Sequence, residues 1–111
     1  MSKVVRIDLD RLEEYAQRLE AFVRLLKATY PVQKVILFGS FARGEVHEGS
    51  DIDLVIIGDF GERFPYRADA ILRLAGDLPI EPLVYTPQEW EQMLREGNPF
   101  AEEVLRTGKE L

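Results

Sequence analysis

The chain has no cysteine, which removes both a disulfide framework and any thiolate metal site. It has a single histidine, His47, set in a polar stretch between glutamates. With no second imidazole to share an ion, His47 reads as a solvent-exposed residue. No apolar run approaches the roughly 20 residues that a membrane helix needs, so no membrane association is expected. The opening Met1-Ser2-Lys3-Val4-Val5-Arg6 is charged too early for a signal peptide, and the cytoplasm is the default compartment. Basic residues are scarce: 14 Lys and Arg stand against 20 Asp and Glu, a formal net charge of −6. Non-specific nucleic-acid binding draws on a basic surface that displaces counterions, so direct nucleic-acid binding is not expected. The same charge repels a triphosphate unless metal ions or local basic groups intervene. Internal repeats, low-complexity stretches and linkers are also missing.

What remains is an ordinary globular composition, 46% hydrophobic and 31% charged over 111 residues. That length predicts one domain, residues 1–111, built round one core. Leu12, Ala16, Leu19, Val23 and Leu26 recur at helical steps, widened by Tyr15 and Phe22, and predict a helix over about 9–29. Asp10 and Glu13 form a candidate capping box, and Pro31 ends the helix. Lys27 and Lys34 read as surface lysines, with a phosphate contact as the rarer alternative. Val35 to Phe38 is a short buried strand, Phe41 to Arg43 one helical turn, and Asp51 to Ile57 a second strand. Gly58 to Phe64 reads as a loop and a candidate cover or pocket wall for any site nearby.

Pro65 to Asp77 is a second amphipathic helix, with Ala68, Ile71, Leu72 and Ala75 inward, and a second candidate pocket wall. Ile80 to Tyr85 is a third strand, placed at a sheet edge because Pro82 lacks a ladder donor. Thr86-Pro87-Gln88-Glu89 starts another helix, running to about Glu96 with Trp90 and Leu94 inward. Gly97-Asn98-Pro99 stops it and starts the last helix, to about Arg106. Phe100, Val104 and Leu105 there read as packing onto the sheet, with a partner surface as the alternative. The order α-β-β-α-β-α-α predicts an α/β (α+β) fold: a small, mixed, three-stranded sheet with helices packed on it. The first two strands are expected to be antiparallel neighbours. The second and third are expected to be parallel, joined by a right-handed crossover through a helix.

The chemistry concentrates in residues 39–54. Gly39-Ser40-Phe41-Ala42-Arg43-Gly44 follows one apolar strand, and Ser50-Asp51-Ile52-Asp53-Leu54 opens the next. Asp51 and Asp53 are two apart on a strand, so both side chains take one face, with Cα atoms about 6.5–7 Å apart. Without metal they repel each other. With Mg2+ they become ligands of the type that ion prefers, and two ions roughly 3.5–4 Å apart clamp a displacement at phosphorus. The expected topology brings Glu81, at the start of the third strand, to the same end of the sheet as a third carboxylate or proton acceptor. Gly39 allows close backbone approach to a phosphate, Ser40 offers a hydroxyl with turn amides behind it, and Arg43 brings a forked donor.

Each residue alone has a plainer reading. Gly-Ser is often only a turn, and Asp-x-Asp is often only solvated. Arg43 has Glu45 and Glu48 as ion-pair partners, and Glu81 suits an edge strand that discourages aggregation. Two other motifs are excluded. Gly39 and Gly44 have P-loop spacing, but Glu45-Val46 stands where Lys and Ser/Thr belong. In phosphatases with an aspartyl nucleophile the apolar strand precedes the acids, whereas here it follows them.

Together these residues resemble the signature of the polymerase-beta-like nucleotidyltransferase superfamily, and the short chain looks like its minimal nucleotidyltransferase (MNT) group. The resemblance implies the nucleotidyltransferase fold and a Mg2+-dependent transfer of a nucleoside monophosphate, AMP from ATP, to a hydroxyl, with two Mg2+ ions. It implies Gly39, Ser40, Arg43 and Ser50 as nucleotide-binding residues, and Asp51, Asp53 and Glu81 as catalytic and metal-holding ones. Glu81 departs from the usual aspartate, and Pro82 follows it. Members of this group pair with a helical HEPN-domain toxin, so the resemblance also implies an antitoxin that adenylylates its HEPN partner. Two alternatives fit the same residues. One is a weak or inactive binding module that neutralises the HEPN partner by complex formation. The other is a small-molecule (aminoglycoside-type) nucleotidyltransferase, for which no drug-binding domain is visible.

Overall fold

The computed structural model describes residues 9–45, 51–61 and 66–111, with the side chains of residues 9–12 left aside. Helix α1 runs Leu9–Thr29 and strand β1 Val32–Phe38. The short helix α2 runs Gly39–Arg43 and strand β2 Ile52–Gly58. Helix α3 spans Arg67–Ala75, strand β3 Ile80–Tyr85, helix α4 Pro87–Arg95 and helix α5 Pro99–Thr107. A two-residue strand β4, Lys109–Glu110, closes the described chain. The sheet order is β3-β2-β1-β4. β1 pairs antiparallel with β2 and with β4, and β2 pairs parallel with β3. The expected pairings and the edge position of β3 hold. The sheet has four strands rather than three, because Lys109 and Glu110 add to Leu37 and Ile36 of β1.

β2 is apolar on both faces, and each face has its own helix layer. Leu54 and Ile56 turn to one side with Val35 and Leu37, under Leu19, Phe22, Val23 and Leu26 of α1 and Ile71 of α3. Val55 and Ile57 turn to the other with Ile36, under Trp90, Ala101 and Val104 of α4 and α5. Burying a side chain of this size contributes about 1.5–3 kcal/mol, which is why the central strand carries four in a row. Ala16 and Leu72, expected inward, stay at the surface. Val104 is buried as expected, while Leu105 is 49% exposed. Among the described residues no helix is long and apolar enough to cross a membrane.

The connections follow local chemistry. Asp10 lies inside α1 rather than ahead of it, so it does not cap that helix. Pro65, expected at the start of α3, lies outside the described residues. Thr86 caps α4: Thr86 N donates to Glu89 Oε1 (2.8 Å), and Glu89 N donates to Thr86 Oγ1 (3.1 Å). Asn98 caps α5, its Oδ1 accepting from Phe100 N and Ala101 N. Gly108 ends α5 through close approach, since a Cβ there would stand 2.5 Å from Val104 O and 2.6 Å from Ile36 Cγ2. Lys27 Nζ donates to Leu111 O (2.9 Å), and Lys34 stands 4.0 Å from Glu110. Both lysines therefore face the C-terminal segment.

Candidate active site

Asp53 is the second residue of β2 and Asp51 immediately precedes the strand. The register places Asp53 beside Glu81 of β3 on one side and Phe38 of β1 on the other. Directly paired residues share a face, and alternation along β2 puts Asp53 on the face of Val55 and Ile57. The carboxylates thus lie on the α4/α5 side of the sheet, at the end where β1 finishes and β2 and β3 begin.

Gly39 follows β1 at this same end. Its φ is +75°, a conformation that L side chains rarely adopt. A Cβ built on it would overlap Oδ2 of Asp53. The turn and the acid are therefore fitted to one another: Asp53 rests in the space a side chain at position 39 would fill. Ser40 follows in the first turn of α2 and Arg43 in its last. Arg43 Nε donates to Glu45 Oε1 (3.1 Å), so its plainer reading as an ion-pair partner is the arrangement held here. Ser50 and Glu48 lie outside the described residues, as does His47.

Glu81 is hydrogen-bonded to both aspartates, and all three acids feel one another's charge. The Asp53 carboxyl is pushed above the ordinary aspartate range, mainly by partial withdrawal from water. A hydrogen bond from Glu81 pulls it down, Asp51 pushes it up, and Arg43 pulls it down again. Glu81 is raised above the ordinary glutamate range, first by the charge of Asp53, then by burial and by Asp51. Its hydrogen bonds to Asp53 and Asp51 raise it further. This is the behaviour of like charges crowded without a counter-ion.

A divalent ion suits that donor set. Carboxylate oxygens are the ligands Mg2+ takes, and crowded like charges mark a place where positive charge is wanted. Among the described residues no group of three or more acidic, histidine or cysteine side chains is arranged to hold a metal ion. Mg2+ characteristically needs none, binding through one or two carboxylates while phosphates and water supply the remaining ligands.

Two expectations fail. The 58–64 loop does not cover these acids, as far as it is described: Gly58 pairs with Val32 at the far end of β2. Five residues of strand, about 17 Å, separate it from Asp53. There Phe60 packs on Tyr30, ring centroids 5.5 Å apart. Helix α3, the other candidate pocket wall, packs on the opposite face of the sheet. A surface cavity of about 410 Å3 lined by Ala16, Leu19, Val23 and Leu111 lies along α1, also behind the sheet, and has no part in this constellation.

Two features went unseen in the sequence. Phe38, opposite Asp53, packs edge-on against Phe100, 62 residues away, with centroids 5.4 Å apart and an 81° interplanar angle. Arg67, 8% exposed, donates to Glu89 Oε1 (2.5 Å) at the far end of the sheet. A strand-end aromatic and an arginine opening a helix carry no local signal of such partners.

The family model described as "Nucleotidyltransferase domain" matches residues 19–107. A Methanocaldococcus jannaschii protein named "putative protein adenylyltransferase" is 45% identical over 58 residues, covering 50% of this chain and 56% of its own. A second protein of that name and organism is 44% identical over 45 residues, covering 40% and 45%. The chain thus spans about half the length of the curated relatives it matches. Among solved structures, a nucleotidyltransferase from Sulfolobus solfataricus, itself named "putative", superposes with TM-score 0.59 at 15% identity, over 81% of this chain and 85% of that one. A chain from a toxin–antitoxin structure with AMP-PNP superposes with TM-score 0.56 at 22% identity, over 85% and 69%. At these identities the two structures share the fold.

Proposed function

This chain belongs to the nucleotidyltransferase domain family, and on that premise we propose that it moves AMP from ATP to a hydroxyl of a partner protein. The observation that carries the reading is the meeting of Asp51, Asp53 and Glu81 beside the Gly39 turn. The acceptor oxygen bonds to the α-phosphorus, the bond to pyrophosphate breaks, and the hydroxyl proton leaves. Asp51 and Asp53 would hold Mg2+, with Glu81 beside them as the third acid, and the ion would supply charge neutralisation for the triphosphate. Gly39 and Ser40 receive the phosphates. Arg43 exchanges Glu45 for a phosphate oxygen, an inexpensive exchange because that ion pair is exposed. Glu81, exposed on the edge strand, takes the acceptor's proton.

The names of the relatives support a protein acceptor, and the toxin–antitoxin neighbour with its ATP analogue supports both nucleotide and partner class. We take the partner to be a HEPN-domain toxin and the chain its antitoxin. Incubation with labelled ATP, Mg2+ and that partner is expected to label the partner, and Asp51→Asn is expected to abolish the label. A tight complex that never acquires label would overturn the transfer reading and leave a binding module.

A further inference from the structure

The carboxylate row continues past the acids. Reading across the sheet on the α4/α5 face, the order is Glu81, Asp53, Phe38, and then Phe100 stacked edge-on against Phe38. Both rings are only half-buried. Phe100 is held there by the α4–α5 turn. Asn98 N donates to Met93 O (2.9 Å), and Asn98 Oδ1 in turn accepts from Phe100 N (2.9 Å). The row therefore has two unlike ends. At β3 it is acidic, exposed and on the sheet edge. At β1 it is aromatic and backed by a helix layer. Gly39, the turn that receives phosphates, follows Phe38 directly in the chain.

We propose that the nucleoside half of the bound nucleotide packs on Phe100, with Phe38 supporting that ring from beneath. The inference rests on the nucleotide-transfer reading above and assigns its unassigned half, the subsite for sugar and base. A nucleotide whose phosphates lie at Gly39 and the acids has an aromatic surface on one side and an open edge on the other. Bases present a π-face to any aromatic ring, and such stacking discriminates weakly between bases. The acceptor then enters at the open β3 edge beside Glu81, so donor and acceptor approach from opposite ends of the row. The other two candidate walls stand elsewhere: α3 is behind the sheet, and Gly58 to Gly61 are at its far end.

The test compares two ligands with Mg2+ by calorimetry: AMP-PNP, which has a nucleoside, and inorganic tripolyphosphate, which has none. Phe100→Leu keeps apolar packing but loses the ring, and Phe100→Tyr keeps the ring. Phe100→Leu is expected to weaken AMP-PNP about five- to a hundredfold, the range for lost aromatic stacking, and to leave tripolyphosphate within about twofold of wild type. Phe100→Tyr is expected to bind both as wild type does. Unchanged AMP-PNP affinity in Phe100→Leu, or an equal loss of both ligands, overturns the subsite while the transfer reading stands. Wild type that binds neither ligand overturns both.

Discussion

The two ends of the sheet handle charge in opposite ways. At the far end Arg67 is nearly enclosed, and its charge is met by Glu89, which is itself bonded to the Thr86 backbone. The pair ties the start of α3 to the start of α4. At the near end Asp51, Asp53 and Glu81 press together, and the nearest cation, Arg43, is spent on Glu45. One end is built to hold the fold. The other holds repulsion that the surrounding packing must outweigh.

Removing a charge should therefore act oppositely at the two ends. The largest effect is expected from Asp53→Asn: transfer to the partner falls roughly a hundredfold or more, while the Mg2+-free protein melts at a temperature equal to or above wild type. A lower midpoint would show that the acids hold the fold. Gly39→Ala comes next. Its Cβ displaces the Asp53 carboxylate and its φ is strained, so transfer is expected to fall at least tenfold for about 1–2 kcal/mol of stability, seen in parallel kinetic and urea-unfolding measurements. Arg67→Ala should show the converse, losing about 2 kcal/mol because a nearly buried pair is broken beside a half-exposed carboxylate, with AMP-PNP affinity unchanged.

The smallest effect is in pH dependence, and its sign differs between the ends. Glu89 is held below the ordinary glutamate range, first by the hydrogen bond from Arg67. Its stabilisation is complete above about pH 4.3 and is lost as pH falls through the lower folded value. Glu89→Gln should be less stable than wild type at neutral pH, with the gap closing on acidification. Asp53 and Glu81 are raised, so their contribution is complete below the ordinary values and is lost as pH rises through the folded ones. Metal-free Asp53→Asn should thus be favoured over wild type at neutral pH, and that gap too should close in acid. Thermal melts from pH 3 to 8 would check both.

Much of the near end was legible in the sequence, because its parts are local: a glycine turn ending a strand, acids opening the next, and a parallel crossover that returns Glu81 to the same end. The edge position of β3 followed from Pro82, and the α4 cap from Thr86 and Glu89. What was not legible depends on sidedness and on distant partners. Lys109 and Glu110 are too few and too polar to read as a strand. Which helix layer shares a face with the acids is set by the parity of Asp53 against Val55 once α4 and α5 have settled there. The placement of residues 58–61 was within reach, since they follow the acids by the length of β2.

The same parity has a consequence for folding. Leu54, Val55, Ile56 and Ile57 are all apolar, so these four residues suit either face of the sheet equally well. Shifting β2 by one position against β1 would leave these four hydrophobes buried. It would also turn Asp53 into the layer beneath α1, at the level of Leu37. A carboxylate moved there would be stripped of water without a partner. Asp53 burdens the correct register but penalises the wrong one far more, so a residue proposed for catalysis also proofreads the strand's alignment.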